Sequence, residues 1–290
     1  MQADGAVPGE RVCKTLVRAL EGRHVPAKIH SRFQSAVNLS TPLGMVTLLA
    51  PGRCLQPYSI VLQESLVSSL LEPGALALGS GGIWRDGTLA VKVTGAPAID
   101  LHLADGPAPV PAMAGAIRRF LASAPAHGLA GMALGRVDGP YAALLTPRLD
   151  VLRRMVRAAD RTGAAAMARR MAGCGPGLTP SSDDFLCGYL ALLPQKGAWT
   201  GMAETVASAA AAGTNDISAA LLQRAGEGLF SEDVLALIGC LRRGNDGPEL
   251  AGSLLRVASF GSSSGYDFLT GVYFGVLDAC AIGGIYIGQT

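Results

Sequence analysis

One phrase occurs twice in this chain: Asp184-Phe185-Leu186-Cys187-Gly188 and Asp267-Phe268-Leu269-Thr270-Gly271. Each copy follows a turn of small residues. Gly173-Cys174-Gly175-Pro176-Gly177-Leu178-Thr179-Pro180 leads into Ser181, and Gly261-Ser262-Ser263 leads into Ser264. Ser181 with Asp184, and Ser264 with Asp267, have the Ser-x-x-Asp spacing of a helix N-cap and its capping box. The echo predicts two apolar helices packed together about an internal pseudo-symmetry. Glycine costs about 1 kcal/mol in a helix interior, so Gly188 and Gly271 are expected where two helices touch.

The rest of the second half is also helical in pattern. Apolar positions at helical spacing run through 149–171, 185–193, 201–212, 217–225, 232–241, 249–257 and 268–279. Arg153, Arg154, Arg157, Arg161, Arg169 and Arg170 fall on the polar side of the first of these; they read as a solvated face, with an anion- or subunit-facing surface as the alternative. The first half is different. Short apolar runs at 39–49, 58–61, 75–78, 83–85 and 88–93 are broken by Gly and Pro, and Asp86-Gly87 is a hairpin signal. Helices are expected at 13–20 and 112–122. The predicted class is α+β: a β-rich, partly barrel-like domain over residues 1–130, then a mostly helical domain over 131–290 that carries the Gly-rich loop. Long helices do not alternate with the strands, which disfavours a doubly wound sheet.

Composition narrows the function. The 290 residues carry 24 Lys and Arg against 22 Asp and Glu, and only 16% are charged. A net charge of +2 with no basic patch interleaved with aromatics argues against nucleic-acid binding. The sparse charge favours burial against partner subunits, a homo-oligomer included. No secretory signal or clean membrane span is visible, because Asp278 interrupts the apolar run 271–288. Six scattered cysteines without a CxxC suggest a reducing, cytoplasmic setting and no structural zinc. His24, His30, His102 and His127 sit in no motif and read as structural or surface residues, and Cys174 is a weak nucleophile candidate.

The first Gly-rich turn exceeds what a cap requires. A Gly/Pro loop at a helix start presents several backbone N–H groups where an anion is favoured. Gly175, Gly177, Thr179, Ser181 and Ser182 supply backbone or hydroxyl donors. Asp183 and Asp184 repel an anion, so they either hold the N–H groups of a carbamoyl or amide substrate or bind Mg²⁺. No Gly-Lys-Ser/Thr follows, so this is no Walker A loop. Thr214 or Asp216 is expected to cap a further helix with Ser218 on its first turn. Asn38, near Arg32, reads on its own as a turn residue.

Gly-x-Gly-Pro-Gly-Leu-Thr-Pro-Ser-x-Asp-Asp-Phe-Leu-x-Gly resembles the central motif of the bacterial AllH (YlbF) family, long described as a domain of unknown function. The resemblance extends to Arg32, Asn38-Leu39, Pro57, Ser59, Thr214, Ser218 and the Gly261–Asp267 turn. Ser182 replaces a common glycine and Ser263 a common threonine. The resemblance implies a subunit of oxamate carbamoyltransferase in allantoin degradation, a branch of purine catabolism. It also implies an FdrA-like, CoA-ligase-related partner, a second uncharacterised subunit, and phosphate as co-substrate. The duplicated Gly/Ser–Asp turn makes Asp183, Asp184 and Asp267 the catalytic candidates. Arg32, Asn38, Gly175, Gly177, Thr179, Ser181, Ser182, Thr214, Ser218, Ser263 and Ser264 are the substrate- or anion-binding candidates, and no metal site is assigned. The alternatives are a non-catalytic structural or ligand-binding subunit and a metal-dependent hydrolase.

Overall fold

The computed structural model describes residues 6–64, 74–123 and 128–284. The class is α+β, as expected. Two compact units are present: residues up to His102 together with Phe230–Glu232, and the remainder from Leu103.

The first unit is a closed sheet. Its strands are β1 (Val7–Cys13), β2 (His24–Arg32), β3 (Ala36–Thr41), β4 (Gly44–Leu49), β5 (Ser59–Leu62), β6 (Leu76–Gly79), β7 (Gly82–Arg85), β8 (Thr88–Lys92) and β9 (Ala98–Ile99). Neighbours run β5-β4-β3-β2-β6-β7-β8-β1, and a β1–β5 pairing closes the ring of eight. β1 also carries the short β9. Closure removes the exposed edges that an open sheet must protect. Val12, Val37, Leu39, Val46, Leu48, Ile60, Leu78, Ile83 and Val91 are buried. Helix α1 (Lys14–Leu20) brings Leu16 and Leu20 against Val12, Ile60, Leu78 and Ile83 around one apolar cavity. The Asp86-Gly87 turn joins β7 to β8 with φ of 48° and 81°, the double left-handed geometry that Asp-Gly favours. Phe230–Glu232 belongs to this unit. Glu232 accepts from Arg11 Nη1 at 2.6 and 2.8 Å and from the Leu55 N–H at 3.0 Å.

The second unit contains α2 (Ala112–Ser123), α3 (Ala130–Ala133), α4 (Gly139–Arg157), α5 (Arg161–Met171), α6 (Ser181–Leu190), α7 (Met202–Ala211), α8 (Asp216–Gly226), α9 (Glu232–Arg243), α10 (Pro248–Ala258) and α11 (Ser264–Ile282). Glu232, the first residue of α9, is grouped with the β unit. Helix α2, which the sequence reading groups with the β-rich part, packs on α11. The single helix expected over 149–171 is two helices. They are divided by Ala158–Asp160, where Ala159 has φ 54° and Asp160 accepts from the Gly163 N–H at 2.9 Å.

At the centre lie α6, buried along its whole length, and α11. A Cβ on Gly188 would collide with the Phe268 carbonyl, and one on Gly271 would collide with the Phe185 carbonyl. The two contacts are reciprocal, which is the internal pseudo-repeat the duplicated phrase predicts. Of the arginines expected on a solvated face, Arg153 turns inward instead, while Arg157 stays exposed but reaches the same carboxylate. They bind the fully buried Asp278 of α11, Arg153 at 2.9–3.1 Å and Arg157 at 2.5–2.7 Å. Tyr189 donates to the same carboxylate at 2.7 Å. A buried carboxylate needs this many donors, and its partners on α4 and α6 are remote in sequence.

Candidate functional site

The Gly-rich loop folds back over the start of α6. Gly173, Gly175 and Gly177 all have positive φ (74°, 139° and 91°). At Gly175 a side chain would also strike the Ser181 backbone nitrogen, so both conformation and space require glycine there. Pro180, not Ser181, is the N-cap of α6, and its side chain makes no cap hydrogen bond. The proline ring fixes φ at −53° with ψ 141°, which makes Ser181 the first helical residue. At the second copy the N-cap is Ser263, not Ser264, again without a side-chain bond. The capping boxes expected from Ser-x-x-Asp therefore do not form. Asn215, rather than Thr214 or Asp216, caps α8 by accepting from the Ser218 N–H at 3.1 Å.

The aspartates do other work. Asp183 is 1% exposed and both its oxygens are engaged. Oδ1 accepts from the Gly173 N–H at 2.8 Å and the Ser182 hydroxyl at 3.2 Å, and Oδ2 accepts from the Thr214 hydroxyl at 2.5 Å. Ser182 is tied to Cys174 in both directions at 2.9 Å. Asn215 Nδ2 donates to the Leu178 carbonyl at 3.0 Å. Asp183 thus clamps the base of the loop to α8, while the tip around Leu178 stands exposed. Among the described residues the N–H groups of Gly175, Gly177 and Thr179 are not engaged.

Asp184 and Asp267 reach across the helix pair. Ser264, the first residue of α11, and Thr179 of the loop lie beside the Asp184 carboxyl and draw its pKa down. Ser181, the first residue of α6, and Ser263 lie beside the Asp267 carboxyl and draw its pKa down. The Thr179 and Ser264 hydroxyls are themselves 2.9 Å apart. Asp267 also accepts from the Leu129 N–H at 2.5 Å, through a turn at Gly128 whose missing Cβ leaves room for the carboxyl. Oδ2 of each is buried without a partner among the described residues, as is the Ser218 hydroxyl. Burial pushes Asp184 up to about 7, and the charges of Asp267 and Asp183 add to the rise against the pull of the two hydroxyls. Burial likewise pushes Asp267 up to about 6, opposed by the Leu129 N–H and two serine hydroxyls. Two acids with free acceptor positions therefore lie at the paired helix starts, beside a loop with free donors. That arrangement suits a ligand with both amide N–H groups and an oxyanion.

The C-terminal part, residues 171–276, matches the family model described as oxamate carbamoyltransferase subunit AllH. Residues 8–105 match the model of the AllH family N-terminal domain. This chain belongs to the AllH family. The N-terminal match spans the closed sheet, and the C-terminal match takes in the Gly-rich loop, both Asp-Phe-Leu-x-Gly copies and α8. No curated protein and no solved structure matches the chain.

In this AllH-family chain Thr179, Ser181, Ser182, Ser263, Ser264 and Thr214 gather around the three aspartates. Ser218 lies buried on the first turn of α8. Arg32 and Asn38 belong to the β unit. Arg32 ends β2 and is exposed, while Asn38 is a strand residue rather than a turn residue. It donates to the Ser31 hydroxyl at 3.0 Å and accepts from the Thr47 hydroxyl at 2.9 Å. Burial raises the Cys174 thiol above its ordinary range, which works against a thiolate nucleophile. His24 lies against Trp84, with ring centroids 4.5 Å apart, and His102 hydrogen-bonds Asp100 at 2.9 Å. His127 lies outside the described residues. Among the described residues no group of three or more His, Cys, Asp or Glu is placed to hold a metal ion, and no helix is long and apolar enough to cross a membrane. The sequence reading misses the Gly128-Leu129 turn, which no local motif announces, and the cap at Asn215, which its Asn-x-x-Ser spacing could have shown.

Proposed function

We propose that this chain is a subunit of an oxamate carbamoyltransferase, acting on oxalurate and phosphate to give oxamate and carbamoyl phosphate. The observation that carries the reading is the pair of unpartnered buried oxygens on Asp184 and Asp267 beside unengaged loop N–H groups. The carboxyls accept from the carbamoyl or amide nitrogen. The N–H groups of Gly175, Gly177 and Thr179 face the oxyanion that develops on the carbamoyl oxygen, or the phosphate. Asp183 holds the loop in the shape that aims those donors. The partners in this reading are the FdrA-like subunit and a second subunit, and the setting is the cytoplasm, in keeping with six free cysteines.

A second reading draws on the near-complete burial of both acids. In it the chain is a structural subunit, and its carboxyls only join the two helix starts. The discriminating experiment is phosphate-dependent oxalurate cleavage by the chain assembled with its partner subunits. Asp184→Asn and Asp267→Asn should each lower kcat by about 10²-fold or more with the complex intact, the range of a lost acid or base. Unchanged turnover in an intact complex would defeat the first reading. Loss of assembly without a specific loss of turnover would establish the second.

A further inference from the structure

Carbamoyl transfer to phosphate requires two proton movements at one carbon. As an oxygen of HPO₄²⁻ bonds to the carbamoyl carbon of oxalurate, the bond from that carbon to the nitrogen shared with the oxalyl group breaks. The departing nitrogen keeps the electron pair and must gain a proton to become the oxamate amide. The attacking phosphate must lose its own proton. One proton is given and one is taken, so the total charge does not change.

The crosswise geometry at the two helix starts fits this demand. Each acid sits three residues into its own helix and lies beside the first residue of the other: Asp184 beside Ser264, Asp267 beside Ser181. Close packing at Gly188 and Gly271 fixes the helices and hence both carboxyls. Each keeps one oxygen, Oδ2, buried and free of a partner. The groups that face them are acids. From α6 these are Asp183 and the thiol of Cys187, whose pKa burial and the two neighbouring aspartates raise well above the ordinary range. Just before α3 and α8, and in the loop, lie the Leu129 N–H on Asp267, the Thr214 hydroxyl on Asp183, and the Thr179 hydroxyl beside Asp184. The α4 cations Arg153 and Arg157 are bound to Asp278, three turns along α11, and Arg148 donates to the Arg170 carbonyl.

We propose that Asp184 and Asp267 form one carboxyl pair holding a single proton, with Ser264 and Ser181 as its positioning residues. In the reaction the neutral member gives that proton to the departing nitrogen, and the charged member takes the proton of the attacking phosphate. A proton shift between them, directly or through water, restores the pair. Burial favours the neutral form of each acid and a negative charge on one disfavours a charge on the other, which is how two neighbouring acids come to share a proton. The proton-transfer half rests on the carbamoyl-transfer reading above; the pair itself does not.

The test is ¹³C NMR of the full-length chain labelled at the aspartate carboxyls, titrated from pH 4 to 9. Two carboxyls should titrate well above the ordinary aspartate range. Asp267→Asn should lower the Asp184 midpoint by about one unit, as expected on removing a neighbouring like charge. Ser264→Ala should raise the Asp184 midpoint and leave that of Asp267 in place, and Ser181→Ala should do the reverse. Two carboxyls titrating near pH 4, or a midpoint indifferent to the loss of the other acid, would overturn the pair. In the assembled complex the same serine variants should move one limb of the pH–rate profile in the direction seen by NMR. An active complex with an unmoved profile would overturn the proton-transfer role. A wild-type complex inactive on oxalurate would defeat the carbamoyl-transfer reading and the proton role that rests on it, while the NMR result would still decide whether the pair exists.

Discussion

Replacing Asp184 by asparagine should make the protein more stable and less active, and the stability gain should depend on pH. In the unfolded chain the carboxyl releases its proton near 3.8; in the folded chain it does so at about 7. Between those values the folded state holds a proton that the unfolded state has released. Its contribution to stability therefore falls as pH rises from about 4 to about 7 and is level above that. The rise of about three units corresponds to about 4 kcal/mol at ~1.4 kcal/mol per unit. Asparagine keeps the shape, removes the buried charge, and retains an oxygen beside Thr179 and Ser264. Some of the gain is offset by weaker hydrogen bonds to a neutral acceptor, which leaves about 2–4 kcal/mol at pH 8. For a unit of this size that is a rise in Tm of roughly 5–10 °C. At pH 5 only about one unit above 3.8 has been crossed, so the gain should shrink to about 1.5 kcal/mol before the same hydrogen-bond offset. Thermal melts of both full-length chains at pH 5 and pH 8 read the effect. An asparagine variant that melts below wild type at pH 8 would refute the reasoning, because it would mean the carboxylate charge stabilises the helix start.

Three further outcomes follow from the same contacts. Gly188→Ala should destabilise the helical unit by about 3 kcal/mol in urea melts, because its methyl meets the Phe268 carbonyl, and Gly271→Ala should do the same against Phe185. Thr214→Val leaves a buried oxygen of Asp183 without its donor; it should cost about 2 kcal/mol and speed amide exchange at Gly173 and Cys174. Asp278→Asn strips the paired charge from Arg153, which is largely buried and stacked 4.9 Å from the Phe274 ring centre; a loss of about 3 kcal/mol is expected in thermal unfolding.

Much of this site is legible in the sequence because it is written in local patterns. The duplicated Asp-Phe-Leu-x-Gly phrase gives the helix pair, its two glycine contacts and the acids at both helix starts. The Asp86-Gly87 turn and the short apolar runs likewise give a barrel-like sheet. What local pattern cannot give is the partner of a side chain. Ser-x-x-Asp spacing implies bonding within one helix, whereas each serine here lies beside the acid of the other. Pro180 moves the helix start by one residue and so frees Ser181 for that place. Arg153 looks solvent-facing because Asp278 lies far along the chain. The break between α4 and α5 is hidden for a different reason: Ala159 takes a left-handed conformation that alanine rarely adopts, so no glycine or proline marks it.

The central claim is that the carboxyl pair at the starts of α6 and α11 receives the amide end of the substrate. A crystal structure of the chain with its partner subunits and bound oxamate tests it most directly. The account predicts the oxamate amide nitrogen within hydrogen-bonding distance of Oδ2 of Asp184 or Asp267, with the loop N–H groups turned toward the ligand. Oxamate bound elsewhere in the complex, with both carboxyls still sealed beneath the loop, would contradict it.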